Sequence, residues 1–447
     1  MLSCGERNIF GTDGVRGKVG EWPISLAGCT QIARSIVLSE ALGQISRVFI
    51  GKDTRASGGM LENGLIEGFS SFNIEVICGG VLPTPAVSFL TRDLGFDCGI
   101  SITASHNLCR DNGVKIFTRE GKKLSDEHIV KINACLEYAP TNNDYEQSSK
   151  KIEPAVEIYY QVYKKALLSE LGGDFSLNGM YIALDCANGA NFEIAPRLFK
   201  DLGAKIIVAG CSPDGKNINA SFGATCPQTL IDLVLLNKAD VGISFDGDGD
   251  RLIMCDETGR IIDGDAIVAT LALNMLKDGT LNGRNVVLTT MSNLGAEVFL
   301  SERGIKVYRS DVGDRSVAQM MANKKSALGG EQSGHIIVGS QTPTGDGILS
   351  ALHMLKIIKK ASVASKACHL FNPYPQLLQN ICADRSLLNE QHIKLELAKL
   401  VDQAESIGCR LLVRPSGTEP LIRLMVEGRN TNSVKRIMAD VSNLLAG

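Results

Sequence analysis

Three segments of this chain repeat one plan, and this repeat constrains the fold more than any other feature of the sequence. Each segment reads as an apolar strand, a polar or glycine-containing turn, a helix and a second strand, over residues 47–80, 181–211 and 285–313. Two of the helices end in glycine, at Gly203 and Gly304, as is common at helix C-termini. A strand–helix–strand unit joins parallel strands by a right-handed crossover. The repeat therefore predicts three similar α/β domains.

Each repeated unit is followed by a short strand that ends in an unusual loop. The three segments are CGISITASHN (98–107), VGISFDGDGDR (241–251) and ALGGEQSGH (327–335). The first two continue into similar hairpins, so we expect mixed sheets. Because ligands bind outside the carboxyl ends of strands in open α/β sheets, the three loops are expected to line one cleft.

The last part of the chain has a different order of predicted secondary-structure elements. A loop with the sequence FNPYP (371–375) indicates a linker, and a strand, a helix, two strands and a helix follow it. The polar stretch 141–154 separates the first two units. We therefore predict an α/β protein with three similar mixed-sheet α/β domains plus a C-terminal α+β domain, arranged around a central cleft. The expected domains are 1–152, 153–256, 257–367 and 368–447.

Composition restricts the partners that the chain can have. The formal net charge is −3, so no broad basic field favours nucleic acid or an anionic membrane. No apolar run approaches the roughly 20 residues that span a bilayer. The 13 cysteines are scattered without a Cys-x-x-Cys pair, which is typical of free thiols in a reducing compartment. We therefore expect a cytoplasmic protein with a small-molecule substrate, and no nucleic-acid or membrane partner.

The loop DGDGDR carries three carboxylates, Asp246, Asp248 and Asp250, which alternate with glycines. Hard oxygen ligands of this kind suit Mg²⁺ or Ca²⁺, and a solvated acidic turn is the simpler alternative. An EF-hand is excluded because Arg251 occupies the position where that loop requires glycine, and because the flanks read as strands. Three carboxylates leave coordination positions open, so a Mg²⁺ that also holds a phosphate oxygen fits best.

Two further loops can bind an anionic sugar. In RPSGTEP, a guanidinium, two hydroxyls and a flexible glycine favour a phosphate, with a second arginine nearby; an ordinary polar turn is the alternative. The residues are Arg414, Ser416, Gly417, Thr418 and Arg423. In GEQSGH, Glu331 and Ser333 can bind sugar hydroxyls or an amine, and His335 can donate to a phosphate or to the ring. That loop is weak evidence by itself.

Two cationic residues near the first loop are candidates for catalysis. Lys115 lies on a short strand and can act as a general acid or base if its neighbours lower its pKa, although most strand lysines face solvent. Arg16, in FGTDGVRG, can hold a phosphate or help to lower the pKa of such a lysine. The basic turn GKDTRASG (51–58) is a weaker candidate.

Ser105 stands directly before His106, but a serine hydrolase is not indicated. Catalytic Ser–His partners usually come from separate elements, and the Gly-x-Ser-x-Gly elbow is absent because Thr103 and Asn107 flank the serine. A serine that carries a phosphoryl group fits better. A phosphoserine has nearly two negative charges and needs a cation, for which the three-aspartate loop offers a site.

The motifs TASHN, DGDGDR, GEQSGH and RPSGTEP, in this order along nearly the whole chain, resemble those of the α-D-phosphohexomutase superfamily. The start FGTDGVRG, the glutamine at Gln332 and the run RPSGTEPLIRLMVEG resemble the bacterial branch that acts on glucosamine phosphates. The resemblance implies an isomerase that interconverts glucosamine 6-phosphate and glucosamine 1-phosphate. The reaction would use a phosphoserine and a sugar 1,6-bisphosphate intermediate, and would feed UDP-N-acetylglucosamine and cell-wall synthesis.

The resemblance also implies a role for each candidate residue. Ser105 is the phosphoserine, and Mg²⁺ is held by Asp246, Asp248, Asp250 and a phosphoryl oxygen on Ser105. Lys115 is the general acid or base, assisted by Arg16 and His106. The remaining implied substrate-binding residues are Glu331, Ser333, His335, Arg251, Arg414, Ser416, Gly417, Thr418 and Arg423.

Several alternatives stay open at this point. The nearest is a phosphomannomutase or phosphoglucomutase of the same superfamily; a sugar phosphatase and a non-catalytic sugar-phosphate sensor belong to other classes. A homodimer is compatible with the sequence, which does not set the oligomeric state. One departure from the family pattern is Leu108, where proline commonly follows the Ser-His-Asn run. We expect a less rigid serine loop from it, with the chemistry unchanged.

Overall fold

The structure, a computed structural model, describes most of the chain. The described residues are 8–11, 13–136, 155–172, 175–339, 344–415 and 421–446. The polar stretch 141–154 and the predicted phosphate-binding residues Ser416, Gly417 and Thr418 lie outside them.

The chain divides into two compact units. The first contains Met1–Thr290 and Lys306–His369, and the second contains Met291–Ile305 and Leu370–Gly447. No helix in the described ranges is long and apolar enough to cross a membrane.

The first sheet of the larger unit has six strands in the order β1-β2-β6-β5-β3-β4. Its strands are β1 (Phe10–Gly11), β2 (Gly14–Lys18), β3 (Arg47–Lys52), β4 (Glu75–Val81), β5 (Cys98–Ile102) and β6 (Asp111–Thr118). Its helices are α1 (Leu26–Leu38), α2 (Gly58–Ser70), α3 (Thr84–Asp93) and α4 (Asp126–Leu136). Strand β3 pairs in parallel with β4 and β5, and β5 pairs antiparallel with β6.

The second sheet has five strands in the order β11-β10-β9-β7-β8. Helix α5 (Val156–Leu171) precedes it. The elements are β7 (Tyr181–Asp185), α6 (Ile194–Asp201), β8 (Lys205–Ala209), α7 (Gln228–Asn237), β9 (Val241–Phe245), β10 (Leu252–Asp256) and β11 (Ile261–Ile262).

The third sheet has four strands in the order β13-β12-β14-β15. Its strands are β12 (Asn285–Thr289), β13 (Lys306–Ser310), β14 (Leu328–Gly330) and β15 (Ile336–Val338). The helices of this region are α8 (Gly264–Lys277), α10 (Asp314–Lys324), α11 (Gly347–Ala361) and α12 (Ala364–Cys368).

The three sheets share one topology. In each, the first strand pairs in parallel with the second and the third, and the third pairs antiparallel with the fourth; these strands are β3–β6, β7–β10 and β12–β15. The three candidate loops each join the third strand to the fourth, at residues 103–110, 246–251 and 331–335. The predicted equivalence of the loops is therefore present in the fold.

The smaller unit contains an antiparallel sheet in the order β16-β18-β17. Its strands are β16 (Gln376–Cys382), β17 (Cys409–Pro415) and β18 (Leu421–Gly428), and its helices are α9 (Leu294–Ser301), α13 (Gln391–Ser406) and α14 (Thr431–Ala446). Buried Leu424, Val426, Ile437 and Val441 belong to one apolar core between sheet and helices. This is the α+β arrangement predicted from the sequence.

Helices α1 and α2 of the first domain pack closely because α2 presents glycine to α1. A methyl group on Gly64 would lie 2.4 Å from the backbone oxygen of Leu26, so only hydrogen fits there. The adjoining side chains of Leu61 and Leu65 are fully buried, and each contributes roughly 1.5–3 kcal/mol. In contrast, Gly59 of the same helix has open space around it.

These two glycines give a paired stability prediction. Gly64→Ala is expected to lower the thermal unfolding midpoint, because overpacking costs about 1–3 kcal/mol. Gly59→Ala is expected to raise it, because alanine is about 1 kcal/mol better than glycine in a helix. Differential scanning calorimetry compares the two variants directly. Equal midpoints would contradict the packing of α1 on α2.

Candidate active site

The serine loop begins at the carboxyl end of β5. Ser105 is 1% exposed and has a φ of 51°, in the left-handed region that non-glycine residues rarely occupy. Its backbone N–H donates to Thr103 Oγ1 at 2.9 Å. A conformation of this kind costs on the order of 1–3 kcal/mol, so the surrounding structure must hold it.

Arg55 supplies much of that support. Its side chain is buried, and all five of its N–H donors are used. Nε donates to Asp53 Oδ2 at 2.8 Å, and the other four donate to backbone oxygens of the serine loop and its exit: Ser105, Asn107, Leu108 and Asp111. Asn219 Nδ2 donates to two of the same oxygens, those of Ser105 and Asn107. The loop around Ser105 is therefore fixed through its carbonyl groups.

The aspartate loop lies directly against the serine. Ser105 Oγ donates to Asp246 Oδ2 at 2.5 Å. Gly247 permits this approach, because a methyl group there would lie 2.5 Å from the backbone oxygen of Ser105. Carboxylate oxygens of Asp246, Asp248 and Asp250 all lie within 4.8 Å of one another, and all three residues are buried. The fold thus brings together the serine and the three carboxylates that the sequence singled out.

The donor set fits a divalent cation. Among the described residues, Asp248 Oδ1 and Asp250 Oδ1 are buried without a hydrogen-bond partner, so both oxygens are available as ligands. Burial, followed by the charges of Asp250 and Asp248, raises the pKa of Asp246 to about 8. Crowding of this kind is what a bound cation relieves, and oxygen-only donors suit Mg²⁺.

Thr84 is a contact that the sequence reading missed. It stands at the start of α3, and its hydroxyl donates to Asp248 Oδ2 at 2.7 Å while its backbone N–H donates to the Asp248 backbone oxygen at 2.9 Å. The start of α3 thus orients one carboxylate of the cluster. A polar residue after Pro83 is too common a pattern to reveal this contact from the sequence.

Lys115, on β6, is enclosed by carboxylates. Its Nζ lies 2.8 Å from Asp250 Oδ2, 2.9 Å from Asp248 Oδ2 and 2.8 Å from Asp13 Oδ2. Burial alone lowers the pKa of Lys115, but Asp13, Asp248 and Asp250 outweigh it and raise that pKa well above the usual value. The sequence made acid–base catalysis by Lys115 conditional on neighbours that lower its pKa; Arg16 acts in that direction, but its effect is the smaller one.

The positive partners of Asp13 extend this network. Arg16 Nη2 donates to Asp13 Oδ2 at 2.8 Å, and Lys123 contacts both Asp13 and Asp314. Burial lowers the pKa of Lys123, although Asp13 opposes it. Lys123 and Asp314 were not singled out from the sequence, because they come from a hairpin turn and from the first turn of α10, where charged residues usually face solvent.

His106 lies beside the serine without forming a catalytic pair. Its Nδ1 is 3.5 Å from Ser105 Oγ, a marginal contact, while the serine hydroxyl donates its hydrogen bond to Asp246. Burial, together with the charges of Arg251 and Arg16, lowers the pKa of His106 to about 4. Within the described ranges no buried carboxylate hydrogen-bonds to the ring, which agrees with the rejection of a serine hydrolase.

The third loop joins the second through its backbone. Arg251 and His335 form an isolated antiparallel bridge, and Leu252 N–H donates to the Gly334 oxygen at 2.9 Å. His335 is 2% exposed; its Nε2 accepts from Gly345 N–H at 3.0 Å, and its Nδ1 faces Asp250 Oδ2 at 3.7 Å. Glu331 accepts from Gly313 N–H at 2.9 Å, and Ser333 is exposed.

The predicted phosphate-binding residues of the smaller unit are described only in part. Arg414 on β17 and Arg423 on β18 are directly opposed in the antiparallel register. Like charges at opposed positions destabilise a sheet, and an anion bound by both would offset the cost.

Comparisons with known proteins agree with this architecture. Models described as phosphoglucomutase/phosphomannomutase α/β/α domains I, II and III match residues 7–142, 162–259 and 263–374, and the C-terminal domain of the same family matches 392–444. The chain therefore belongs to the phosphoglucomutase/phosphomannomutase family. It is an enzyme of the isomerase class that transfers a phosphoryl group within a hexose phosphate, as predicted.

The particular activity predicted from the sequence, that of a phosphoglucosamine mutase, is confirmed by relatives of nearly full length. The phosphoglucosamine mutase of Aeromonas hydrophila is 45% identical over 436 residues, covering 96% of both chains.

Solved structures share the fold. A phosphoglucomutase/phosphomannomutase family protein from Burkholderia thailandensis has a TM-score of 0.79 at 22% identity, with 98% of this chain and 97% of that one covered. The N-acetylphosphoglucosamine mutase of Aspergillus fumigatus, in complex with GlcNAc-6P and magnesium, has a TM-score of 0.63 at 18% identity, with 97% and 95% covered.

The support of the serine loop by Arg55 gives a prediction with a matched control. Arg55→Lys is expected to lower the mutase rate roughly 100-fold, because lysine cannot reproduce the planar fork that holds four carbonyl groups. Arg110→Lys, an exposed change in the same loop, is expected to leave the rate unchanged. Faster amide exchange over residues 104–111 in Arg55→Lys alone would accompany the loss. A fully active Arg55→Lys would contradict the assigned role.

Proposed function

We propose that the chain interconverts glucosamine 6-phosphate and glucosamine 1-phosphate through a phosphorylated Ser105. The observation that carries this proposal is the contact between Ser105 Oγ and Asp246, inside a cluster of three buried aspartates and one buried lysine. A serine hydroxyl in such a negative surrounding is a poor site for attack on a neutral substrate. It is a good site for a phosphoryl group whose charge is balanced by a cation and by Lys115.

Each half-reaction breaks one P–O bond and forms another. The phosphoserine P–O bond breaks while one sugar hydroxyl forms a new bond to phosphorus, and the product is a sugar 1,6-bisphosphate. After the bisphosphate has turned over, Ser105 Oγ takes the other phosphoryl group, and the isomeric monophosphate leaves. In each half-reaction one proton is removed from the attacking hydroxyl and one is delivered to the departing oxygen, so that the leaving group ends as a hydroxyl.

Asp246, Asp248, Asp250 and a phosphoryl oxygen on Ser105 would hold Mg²⁺. When bound, Mg²⁺ supplies Lewis-acid stabilisation of the negative charge on the transferring group. Thr84 fixes the orientation of Asp248, and Arg55 and Asn219 fix the loop that presents the serine. These contacts position the reacting groups before the substrate arrives, which is where most catalysis of phosphoryl transfer originates.

We assign the proton transfer to Lys115, with Arg16 and His106 as its assistants. The assignment depends on position: the Lys115 ammonium group contacts two of the three cluster aspartates, and Asp13 links it to Arg16. Glu331, Ser333, His335 and Arg251 are assigned to the sugar, and Arg414, Ser416, Gly417, Thr418 and Arg423 to the phosphate that does not react. We further propose that the enzyme acts in the cytoplasm and that its product enters UDP-N-acetylglucosamine synthesis.

The phosphoserine can be tested by mass and by activity. The purified protein is expected to include a form about 80 Da heavier than the sequence mass, and Ser105→Ala is expected to lack it. Ser105→Ala should lose nearly all formation of glucosamine 1-phosphate in a coupled assay. Ser169→Ala, on the exposed face of α5, is the matched control and should retain both properties.

The same assay tests the substrate. Faster turnover of mannose or glucose phosphates than of glucosamine 6-phosphate would contradict the proposed sugar. Release of inorganic phosphate faster than isomer formation would contradict a mutase and favour a phosphatase.

The cation site gives a separate prediction. Asp248→Asn removes one charged ligand, so Mn²⁺ used as a spectroscopic probe is expected to bind at least about 10-fold more weakly, with a parallel loss of Mg²⁺-dependent activity. Asp232→Asn, on the exposed face of α7, should change neither property. Unchanged Mn²⁺ affinity in Asp248→Asn would exclude this cluster as the site.

A further inference from the structure

Two cysteines of the second domain form a pair that the proposed reaction does not use. Cys186 follows β7 and Cys211 follows β8, and these strands are parallel neighbours in which Asp185 pairs with Ala209. Cys186 N–H donates to the Ala209 oxygen at 3.1 Å, and Cys211 Sγ lies 3.4 Å from the same oxygen. The two thiols are joined by a side-chain hydrogen bond.

The turn after β8 brings the two thiols together. Gly210 has a φ of 60°, so the chain leaves the extended strand before Cys211, and Cys211 Sγ then donates to the Ala209 oxygen that also accepts from Cys186 N–H. A disulfide requires Cα atoms roughly 4.4–6.8 Å apart, and neighbouring strands about 4.8 Å apart provide a separation in that range.

The thiols differ in access and reactivity. Cys186 is fully buried, whereas Cys211 is partly exposed. The hydrogen bond from Cys186 stabilises the thiolate of Cys211 and lowers the pKa of Cys211, although burial opposes it. The same hydrogen bond, with burial, raises the pKa of Cys186 well above its usual value. A partly exposed thiol of lowered pKa beside a buried resolving thiol is the arrangement found in redox-sensitive cysteine pairs.

The segment after Cys186 contacts both loops of the active site. Ala187 and Asn188 have φ values of 56° and 50°, so two consecutive non-glycine residues are held in the left-handed region. Ala190 N–H donates to the oxygen of Gly247 in the aspartate loop at 2.8 Å. The oxygen of Ala187 accepts from the backbone N–H of Asn219, whose side chain holds the Ser105 carbonyl.

Asn188 adds a further contact and bridges the two cysteine segments. Its oxygen accepts from Thr54 Oγ1, next to Arg55, and its backbone N–H donates to Gly210 at 2.6 Å. A change at the cysteines therefore reaches the serine loop and the aspartate loop through direct hydrogen bonds. Strained backbone persists only where surrounding contacts hold it, and it clusters at active sites and switch regions.

We propose that Cys186 and Cys211 form a reversible disulfide under hydroperoxide and that this bond lowers the activity of the enzyme. The Cys211 thiolate attacks the peroxide oxygen, the O–O bond breaks, and a sulfenic acid forms with release of water or an alcohol. The Cys186 thiol then attacks the sulfenic sulfur, the S–O bond breaks with release of water, and the S–S bond forms. Two thiols are oxidised and one peroxide is reduced, and a thiol reductant reverses the change.

The effect on activity follows from the contacts of the segment 186–190. The disulfide would draw Cys186 towards Cys211 and displace Ala187 and Ala190, which bind Asn219 and Gly247. Displacement of Asn219 and Gly247 would in turn change the distance between Ser105 and the aspartates. A misplacement of this kind is expected to lower the rate roughly 10-fold or more.

Tryptic mapping tests the bond directly. Cys186 and Cys211 are the only cysteines in their tryptic peptides, residues 166–197 and 206–216. Treatment of the full-length wild-type protein with hydrogen peroxide is expected to give a linked pair of these peptides, with a mass about 2 Da below their sum. A reductant should abolish the linked pair and restore the rate.

Variants isolate the pair from the other cysteines. Cys211→Ser is expected to give no linked peptide and to retain its rate under peroxide, and Cys186→Ala provides a second variant without a buried hydroxyl. Cys382→Ser, an exposed cysteine of the smaller unit, is the matched control and should behave as wild type. No linked peptide while Cys382 is oxidised, or a linked peptide with an unchanged rate, would overturn the proposal.

The test remains decisive if the proposed substrate is wrong. Amide exchange over 104–111 and 246–251 reports the displacement of the two loops without any substrate. A reduced protein that is inactive on glucosamine phosphates would contradict the proposed function alone. Unchanged exchange in the fully linked protein would contradict the coupling between the cysteine pair and the loops.

Discussion

The crowding of carboxylates around Ser105 and Lys115 is the constraint on which the rest of the structure depends. Asp246, Asp248 and Asp250 are buried within 4.8 Å of one another, and like charges at such distances repel strongly unless a cation lies among them. The Lys115 ammonium group offsets part of that repulsion. Within the part of the chain that the structure describes, Asp248 Oδ1 and Asp250 Oδ1 have no hydrogen-bond partner, which accounts for the fit to a divalent cation.

The repeated fold explains how residues so distant in sequence come together. The three sheets share one topology, and each has a loop between its third and fourth strands. The loops that carry Ser105, the three aspartates and His335 therefore occupy equivalent positions. Each loop needs support from elsewhere, because irregular backbone leaves its carbonyl groups unpaired. Arg55 and Asn219 provide this support for the serine loop, and the Arg251–His335 bridge joins the other two loops.

Much of the fold and part of the site could be predicted from the sequence. Strand periodicity and helix-ending glycines indicate the strand–helix–strand units, and the alternation of Asp246, Asp248 and Asp250 with glycines indicates a cation site. Arg55 was undervalued and Asn219 was missed because their function is to hold carbonyl groups, and no sequence pattern reports where a carbonyl group lies. The direction of the Lys115 pKa shift was also beyond the sequence, since it depends on which charges are nearest.

The sequence by itself determined the three-fold repeat, the chemical type of each loop and the family that these loops resemble, because these depend on local order and on spacing. Only the tertiary structure decided which groups meet. Ser105 Oγ donates to Asp246 and makes only a marginal contact with the neighbouring His106, and Lys115 lies among three carboxylates from two other segments. Cys186 contacts Cys211 at the ends of two parallel strands. The physical reason is that electrostatic and hydrogen-bond energies depend on distances of a few ångströms, which the packing of strands and loops sets.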